Sequence, residues 1–409
     1  MYFSRRGLLK GLCSLPAFAF APIHAWGPED ASASPTLPDK KNFSVRGVYL
    51  DAAYTHPISV VARDTYNEYM ERRALNDRRI GPGNNARNTA VELFAKLINA
   101  NPEHVAVVPS TMEGENLVGE SLGLSRSAGV VTEALHYDAS LVMYEELAKR
   151  GVPVKVVSPR ESSIDLGDVE AAISKSTRLV AVSLVSNVTG FQHDLKALCE
   201  LAHSKGALVY ADIIQAAGAV PIDVRAAGVD FCACGSYKWL MGDFGAAFLY
   251  VRPDRLQELK RVQTGWRQIQ NQAPDTFPFG PSPGTEGWTL GSDTASIFEV
   301  STPAWGALAC VARSLAYIES LGVELIVQHR QPLMDHLRQE LPKHGFKPLT
   351  PPGSASPVLA FGYKGAARFA KPLRDANIQI SVYQNRVRIS PSVYNSMDDV
   401  EQLVRVLSA

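Results

Sequence analysis

The side chains best suited to do chemistry are one lysine and one aspartate, each placed after an apolar run. Lys238 follows the run FCACG and a Ser-Tyr pair, and it precedes a glycine-bounded turn into another apolar run. Asp212 ends the run ALVYA, and Gln215 lies three positions later. A lysine at a buried strand end can hold pyridoxal phosphate (PLP) as a Schiff base, and a carboxylate can keep the PLP ring nitrogen protonated. The alternatives are a solvated lysine and a helix-capping aspartate. Gln215 is the candidate contact for the phenolic oxygen of PLP.

A phosphate-binding turn is predicted further upstream. Residues 106–123, AVVPSTMEGENLVGESLG, have the pattern of a strand, a tight turn and a helix. The backbone N–H groups from Ser110 to Glu113 would then stand at the positive end of the helix, where a phosphate can bind, and the Thr111 hydroxyl can add a contact. The alternative is an ordinary helix start capped by Ser110 or Thr111.

The order of these and other motifs carries a family resemblance. Along the chain follow STMEGENL, HYDASL, SNVTG, YADIIQAAG, GSYKWL, FEVSTP and VRISPSVYN. This order resembles that of the class V aminotransferases, PLP enzymes that include isopenicillin N epimerase-like proteins and cysteine desulfurases. The resemblance runs from about Val48 to the C-terminus. It implies a PLP-dependent enzyme of fold type I, with a mainly parallel sheet of the seven-stranded type.

The resemblance implies cofactor contacts for five residues besides the lysine and the aspartate. Thr111 and Met112 match the turn whose backbone holds the phosphate. Tyr137 falls where desulfurases place a stacking histidine, and an aromatic ring over the pyridine face suits either residue. Ser236 and Tyr237 resemble the Ser-His pair that contacts the phosphate before the lysine.

Three more positions are expected to reach the cofactor, the substrate or a second subunit. Asn187 matches an asparagine near the phenolic oxygen or the substrate. Thr302 matches a residue that reaches the phosphate of the neighbouring subunit, which implies a homodimer with its active site at the interface. Arg388 matches the arginine that grips the substrate carboxylate, and a guanidinium is a natural bidentate partner for that group. Arg386 would share a strand face with Arg388, so the residues alone do not decide which of the two arginines binds the substrate carboxylate. Both can instead be exposed strand charges.

The N-terminus predicts export. Arg5 and Arg6 precede a modestly apolar stretch over residues 8–21, and the segment 1–25 resembles a twin-arginine signal peptide. A disordered basic leader is the alternative. The twin-arginine machinery exports proteins that have already folded, so we expect a periplasmic enzyme that arrives loaded with PLP. Residues 26–60 are expected to form a linker and an N-terminal arm.

Composition and periodicity predict an α/β protein. The 409 residues are 46% hydrophobic and carry a formal net charge of zero, which argues against a nucleic-acid partner held by bulk charge. Five cysteines are few for a disulfide scaffold, and no spaced His/Cys cluster suggests a zinc site. Apolar strands alternate with helical patterns over residues 61–302, which predicts a large PLP-binding domain with an open, mainly parallel sheet. Residues 303–409 are expected to form a smaller α+β domain.

The expected reaction begins with an amine on an amino-acid moiety. Lys238 would act as general base at the α-carbon, and the outcome can be racemisation, transamination or elimination. Desulfuration is disfavoured because residues 379–390, QISVYQNRVRIS, contain no cysteine to carry sulfur. A catalytically inert ligand-binding protein is the alternative from another class, and the Lys238, Asp212 and Arg388 set disfavours it.

The leader, the length and the motif order together resemble exported members of this family that modify the siderophore pyoverdine. That resemblance implies a siderophore precursor as substrate, with the glutamate side chain on its chromophore converted to a succinyl or succinamide form. Residues 263–291 are aromatic and proline-rich, and they are expected to form a substrate-facing loop. Trp266 and Trp288 would stack on the chromophore or anchor the loop.

Overall fold

A computed structural model describes residues 36–75, 84–272, 276–280 and 287–409 of the chain. The predicted signal peptide over residues 1–25 therefore lies outside the described residues, as do the first residues of the predicted linker and parts of the loop over residues 263–291. Among the described residues, no helix combines the length and the apolarity that a bilayer crossing needs.

The described part of the chain contains fifteen strands and twelve α-helices. The strands are β1 (Val48–Tyr49), β2 (Val105–Val108), β3 (Gly129–Glu133), β4 (Val154–Val157), β5 (Thr177–Ser183), β6 (Leu208–Asp212), β7 (Phe231–Gly235), β8 (Ala247–Val251), β9 (Ile269–Asn271), β10 (Thr289–Leu290), β11 (Lys347–Pro348), β12 (Leu359–Gly362), β13 (Ile378–Gln379), β14 (Ser381–Val382) and β15 (Arg386–Ile389). The helices are α1 (Val60–Ala74), α2 (Asn84–Leu97), α3 (Thr111–Ser121), α4 (Asp138–Lys149), α5 (Leu166–Ala172), α6 (Leu195–Ser204), α7 (Val224–Ala227), α8 (Thr294–Phe298), α9 (Trp305–Leu321), α10 (Val323–Glu340), α11 (Ala370–Asp375) and α12 (Met397–Ser408).

A seven-stranded sheet with the strand order β2-β8-β7-β6-β5-β3-β4 forms the centre of the molecule. Strand β8 runs antiparallel to both of its neighbours, and the pairs from β7 to β4 are parallel. Most of these strands are buried along their whole length and rich in Val, Leu and Ala, as expected for a sheet covered on both faces. The α/β fold class and the mainly parallel sheet are thus confirmed.

Helices cover both faces of this sheet and build two apolar layers. One layer includes residues of α2, α6 and α9, with Phe94 stacked on Phe248 at a ring-centroid distance of 4.3 Å. The other includes residues of α3 and α4, among them the buried Leu117 and Tyr144. Each Å² of apolar surface that is buried contributes about 25 cal/mol of free energy, so such layers are the main source of stability.

A smaller sheet with the strand order β11-β12-β15-β14 lies in the C-terminal part of the chain. It packs with α10, α11 and α12 around a separate apolar cluster that includes Phe346, Phe361 and Val387. Strand β1, within the segment predicted to be an arm, pairs in parallel with β13, and Asp51 forms a bridge with Ser390. The arm is therefore built into the C-terminal part of the fold.

Candidate active site

A cavity lies where the carboxyl ends of β5 and β6, the turn after β7 and the N-terminus of α3 meet. This is the edge of a parallel sheet where ligands usually bind. Its lining residues are Ser110, Thr111, Met112, Tyr137, Ser183, Asn187, Asp212, Ile214, Gln215, Tyr237 and Lys238. The structure thus brings together eight of the cofactor-binding residues that the sequence predicted.

Lys238 is only 8% exposed and sits on the turn that follows β7. The turn is held by two backbone bonds, from Met241 N to Lys238 O at 2.8 Å and from Gly242 N to Ser236 O at 2.8 Å. Burial lowers the pKa of the Lys238 amine to about 8, although the nearby Asp212 carboxylate opposes that shift. An amine with a pKa near neutrality is readily deprotonated, which both covalent attachment of an aldehyde and base catalysis require.

Asp212 is the last residue of β6 and is almost fully buried. Burial raises the pKa of its carboxyl to about 6, while the charge of His136 opposes the rise. Its Oδ1 accepts a hydrogen bond from Ile214 N at 2.9 Å, and Oδ2 has no hydrogen-bond partner in the described part of the chain. A buried carboxylate with one free oxygen is suited to a cationic partner such as a protonated pyridine nitrogen.

The start of α3 provides an anion-binding position. Ser110 is the N-cap, and its Oγ accepts from Glu113 N at 3.1 Å. The backbone N–H groups of Thr111 and Met112, in the first turn, are left for a ligand. The Thr111 Oγ1 accepts from Gly235 N at 2.8 Å, so this hydroxyl also ties the helix start to β7.

Tyr137 and Asn187 line the cavity from loops. Tyr137 precedes α4 and is 37% exposed, so its ring can cover a bound heterocycle. The Oδ1 atom of Asn187 is buried without a hydrogen-bond partner in the structure as described. A buried orphan acceptor at a cavity wall is a mark of a ligand site.

Gln215 lines the cavity, but the protein uses most of its amide. Its Nε2 donates to Ala53 O at 2.9 Å, and its Oε1 accepts from Trp239 Nε1 at 2.9 Å. One amide hydrogen remains for the phenolic oxygen of PLP.

Two predicted cofactor contacts do not lie at this cavity. Ser236 is fully buried, and its hydroxyl donates to Asp243 O, so its one proton is already used within the turn. Of the Ser-Tyr pair only Tyr237 lines the cavity, and the phosphate contact of Ser236 stays a prediction. Thr302 is exposed and does not line the cavity of its own chain. Its contact with a neighbouring subunit stays a prediction.

Arg388 lies on β15 and is 3% exposed, whereas Arg386 is half-buried with its guanidinium 4.1 Å from the centre of the Tyr383 ring. The Arg388 Nη2 donates to Ser381 Oγ at 2.9 Å and to Asp51 Oδ1 at 3.4 Å. Its Nη1 donates to Asn187 O at 3.3 Å, which places the guanidinium behind a cavity-lining residue. The structure favours Arg388 over Arg386 as the inner cation.

The sequence reasoning missed the acidic and hydroxyl partners of this site. Asp51 pairs with Arg388, and burial raises the pKa of its carboxyl while the Arg388 charge opposes that shift. Ser183 lines the cavity beside Asp212, because the two residues are register partners in β5 and β6. The only sequence signal for Ser183 is its place at the end of an apolar run.

Together these residues fit PLP. Lys238 would hold the aldehyde carbon, Asp212 the ring nitrogen, and the N-terminus of α3 the phosphate. The fold and the site define a PLP-dependent enzyme of fold type I.

Comparison with known proteins identifies the family. The model of the class V aminotransferases matches residues 48–403, and the chain belongs to this family. The uncharacterized aminotransferase YcbU of Bacillus subtilis is 28% identical over 359 residues, which cover 88% of this chain and 92% of that protein. A probable cysteine desulfurase of Methanothermobacter thermautotrophicus is 30% identical over 296 residues, 71% of each chain.

Solved structures share the fold. The apo cysteine desulfurase of Thermococcus onnurineus matches with a TM-score of 0.77 and 23% identity, covering 92% of this chain and 98% of its own. A mutant of C-DES with glycine covalently linked to its PLP cofactor matches with a TM-score of 0.79 and 18% identity, over 91% of this chain and 99% of its own.

Proposed function

We propose that this protein is an exported PLP-dependent enzyme that acts on the amino group of a glutamate-derived side chain on the chromophore of a pyoverdine-type siderophore. The observation that carries the catalytic part is the buried Lys238 amine beside the buried Asp212 carboxylate in one cavity. When bound, PLP withdraws electrons from the α-carbon of the substrate amine. Lys238 holds and moves the α-proton, Asp212 keeps the ring nitrogen charged, and Arg388 attracts the substrate carboxylate.

The cysteines of the chain argue against sulfur transfer, although some relatives are cysteine desulfurases. The cysteines of the described part are Cys199, Cys232, Cys234 and Cys310, and all four are buried. Burial raises the pKa of each of their thiols, so none is a ready thiolate nucleophile. The segment that carries Arg388 contains no cysteine.

Exposed aromatic rings beside the cavity support a flat, large substrate. Tyr237 lines the cavity and stacks on Phe244 with the ring centroids 4.6 Å apart, and Phe244 is 59% exposed. Tyr137 also lines the cavity, and Tyr54 is exposed. Such rings favour stacking with an aromatic chromophore. Trp266 and Trp288 are exposed as well, but neither lines the cavity, so their predicted stacking role stays a prediction.

Atom balance constrains the reaction. Conversion of a glutamate side chain to a succinamide removes the α-carboxyl carbon as CO2, keeps the nitrogen and oxidises the α-carbon, a four-electron change in which one external dioxygen supplies the amide oxygen and forms one water. Hydrolysis of that amide, with release of ammonia, would give the succinyl form. The holoenzyme is therefore incubated in air with a pyoverdine precursor that carries the glutamate side chain, and the products are followed by mass spectrometry. We expect the glutamate form to decline and a succinyl or succinamide form to appear, with Lys238→Ala inactive. An unchanged glutamate form, together with sulfide release from cysteine, would instead establish a desulfurase.

The resemblance of residues 1–25 to a twin-arginine signal supports the periplasmic location. Cell fractionation compares the wild type with a variant carrying Arg5→Lys and Arg6→Lys. We expect the variant to stay in the cytoplasm with PLP bound, because the twin-arginine pair is the feature that the export machinery reads. Periplasmic recovery of the variant at the wild-type level would contradict the proposal.

A homodimer that shares its active site is also expected. Sedimentation of the holoenzyme tests whether the protein is a dimer.

A further inference from the structure

A hydrogen-bonded chain of buried polar side chains lies directly behind Asp212. Glu115 on α3 accepts from His136 Nε2 at 3.0 Å and from Tyr144 OH at 2.7 Å through the same oxygen, Oε1. The other ring nitrogen of His136, Nδ1, lies 2.8 Å from Ser183 Oγ. Ser183 stands opposite Asp212 in the β5–β6 ladder, and both residues line the cavity. The hydrogen-bonded chain of side chains therefore runs from Glu115 through His136 to the cavity wall.

The protonation of this chain follows from its partners. Glu115 and His136 are both essentially inaccessible to solvent, and Ser140 Oγ donates to Glu115 Oε2 at 2.6 Å. A carboxylate that accepts three hydrogen bonds is ionised, and an imidazole with an oxygen at each nitrogen is suited to donate from both. When Nδ1 donates to Ser183, the hydroxyl proton of Ser183 is free to point toward the cavity.

Electrostatics agree with this geometry. Burial alone would lower the pKa of His136, but the charge and hydrogen bond of Glu115 raise it above its ordinary value. Burial would raise the pKa of Glu115, but His136 holds it below its ordinary value. The cationic end of the pair thus lies on the side of Asp212, where it opposes the effect of burial on that carboxyl.

We propose that His136, held by Glu115 and linked to the cavity by Ser183, is a positioning residue that keeps Asp212 ionised and thereby keeps the ring nitrogen of PLP protonated. The inference rests on PLP binding at Lys238, and it is independent of the substrate. Other titratable groups near His136 and Asp212 come from each packed element: Glu133 on β3, Tyr144 on α4, Tyr210 on β6, Cys232 and Cys234 on β7, and Tyr237 and Lys238 after β7.

The test measures the ring nitrogen itself. The protein is loaded with PLP labelled with nitrogen-15 in the ring, and the chemical shift of that nitrogen is followed from about pH 5.5 to 9 without substrate. In His136→Asn, we expect the midpoint for loss of the ring-nitrogen proton to fall by about one pH unit or more, because Asp212 without the nearby cation takes up the proton that it would otherwise leave on the ring nitrogen. Glu115→Gln should move it in the same direction, since His136 loses the partner that keeps it charged.

A matched variant separates this effect from general destabilisation. His203 forms an imidazole–carboxylate pair with Asp230, with Nε2 and Oδ2 2.7 Å apart, away from the cavity lining. His203→Gln should leave the ring-nitrogen midpoint unchanged. Ser183→Ala removes only the hydroxyl that links His136 to the cavity, and we expect a smaller fall in the midpoint. This variant still tests the inference if His136→Asn does not fold.

Midpoints equal to the wild type in the folded, PLP-loaded His136 and Glu115 variants, or in Ser183→Ala alone when those do not fold, would overturn the inference. A wild type that binds no PLP would overturn the cofactor assignment and this inference with it.

Discussion

Two buried aspartates at opposite ends of the β6–β7 strand pair have very different surroundings. Asp230, just before β7, is completely buried and accepts three hydrogen bonds, from His203 Nε2 at 2.7 Å, Val209 N at 2.7 Å and Arg255 Nε at 2.8 Å. It also forms an ion pair with Arg252, with Nη2 and Oδ1 3.0 Å apart. Asp212, at the carboxyl end of β6, takes one N–H and faces a cavity.

The difference separates a structural carboxylate from a functional one. The protein itself compensates the charge of Asp230 with three cationic or potentially cationic side chains. The charge of Asp212 is left for a ligand, and its pKa is raised to about 6 by burial as a consequence. An incompletely satisfied buried acid costs folding free energy, which is the usual condition of a residue kept for chemistry.

Removal of the lysine that faces Asp212 should have the largest effect. Lys238→Ala is expected to abolish covalent PLP and to reduce turnover by roughly 10⁴-fold, since attachment and base catalysis both need the amine. Borohydride trapping followed by mass spectrometry checks the attachment. Lys149→Ala, at an exposed lysine, is the control and should retain trapped PLP. Trapped PLP at wild-type stoichiometry in Lys238→Ala would disprove the assignment.

Neutralisation of the structural aspartate should act on stability. Asp230→Asn is expected to lower the free energy of unfolding by about 3–5 kcal/mol, because the half-buried Arg252 and Arg255 and the ring of His203 together lose their countercharge. Chemical denaturation measures the loss. Turnover per folded molecule should match the wild type, and a selective loss of turnover at full stability would reverse our distinction between the two acids.

The same substitution at the other end of the strand pair should act on catalysis. Asp212→Asn is expected to reduce turnover by roughly 10²- to 10³-fold, because the ring nitrogen loses its anionic partner. The free energy of unfolding of the apoprotein at neutral pH should not fall, since a poorly compensated charge has been removed. Steady-state kinetics and denaturation of the same samples provide both numbers. A variant with wild-type turnover would show that Asp212 is a helix cap and no more.

The smallest effect should appear in the pH dependence of the apoprotein. The folded pKa of Asp212, about 6, lies above its ordinary value of 3.8, so the folded state holds the proton more tightly between these limits. Relative to Asp212→Asn, the wild-type stability should therefore fall by about 2 kcal/mol as pH rises from about 4 to 6. Denaturation at several pH values measures the difference. Equal slopes for both proteins would contradict the raised pKa.

Much of the site was predictable because it follows the chain locally. Asp212 ends an apolar run and Lys238 comes three residues after the end of another, and in a parallel sheet such ends share one edge. The helix start at Thr111 was predictable from its capping serine and the strand before it. In contrast, the orientation of the Ser236 hydroxyl depends on how the turn closes onto Asp243, and no local pattern indicates that.

The sequence by itself determined the alternating pattern of strands and helices, the sheet edge where the ligand binds, and the lysine and acid that face it, because burial periodicity and strand ends are local properties. Only the tertiary structure decided which distant groups meet these residues. Asp51 reaches Arg388 because β1 joins the C-terminal part of the chain, and His136 links Glu115 to Ser183 because α3, the residues after β3, and β5 converge. Contacts between residues so far apart in sequence depend on packing, which no short motif records.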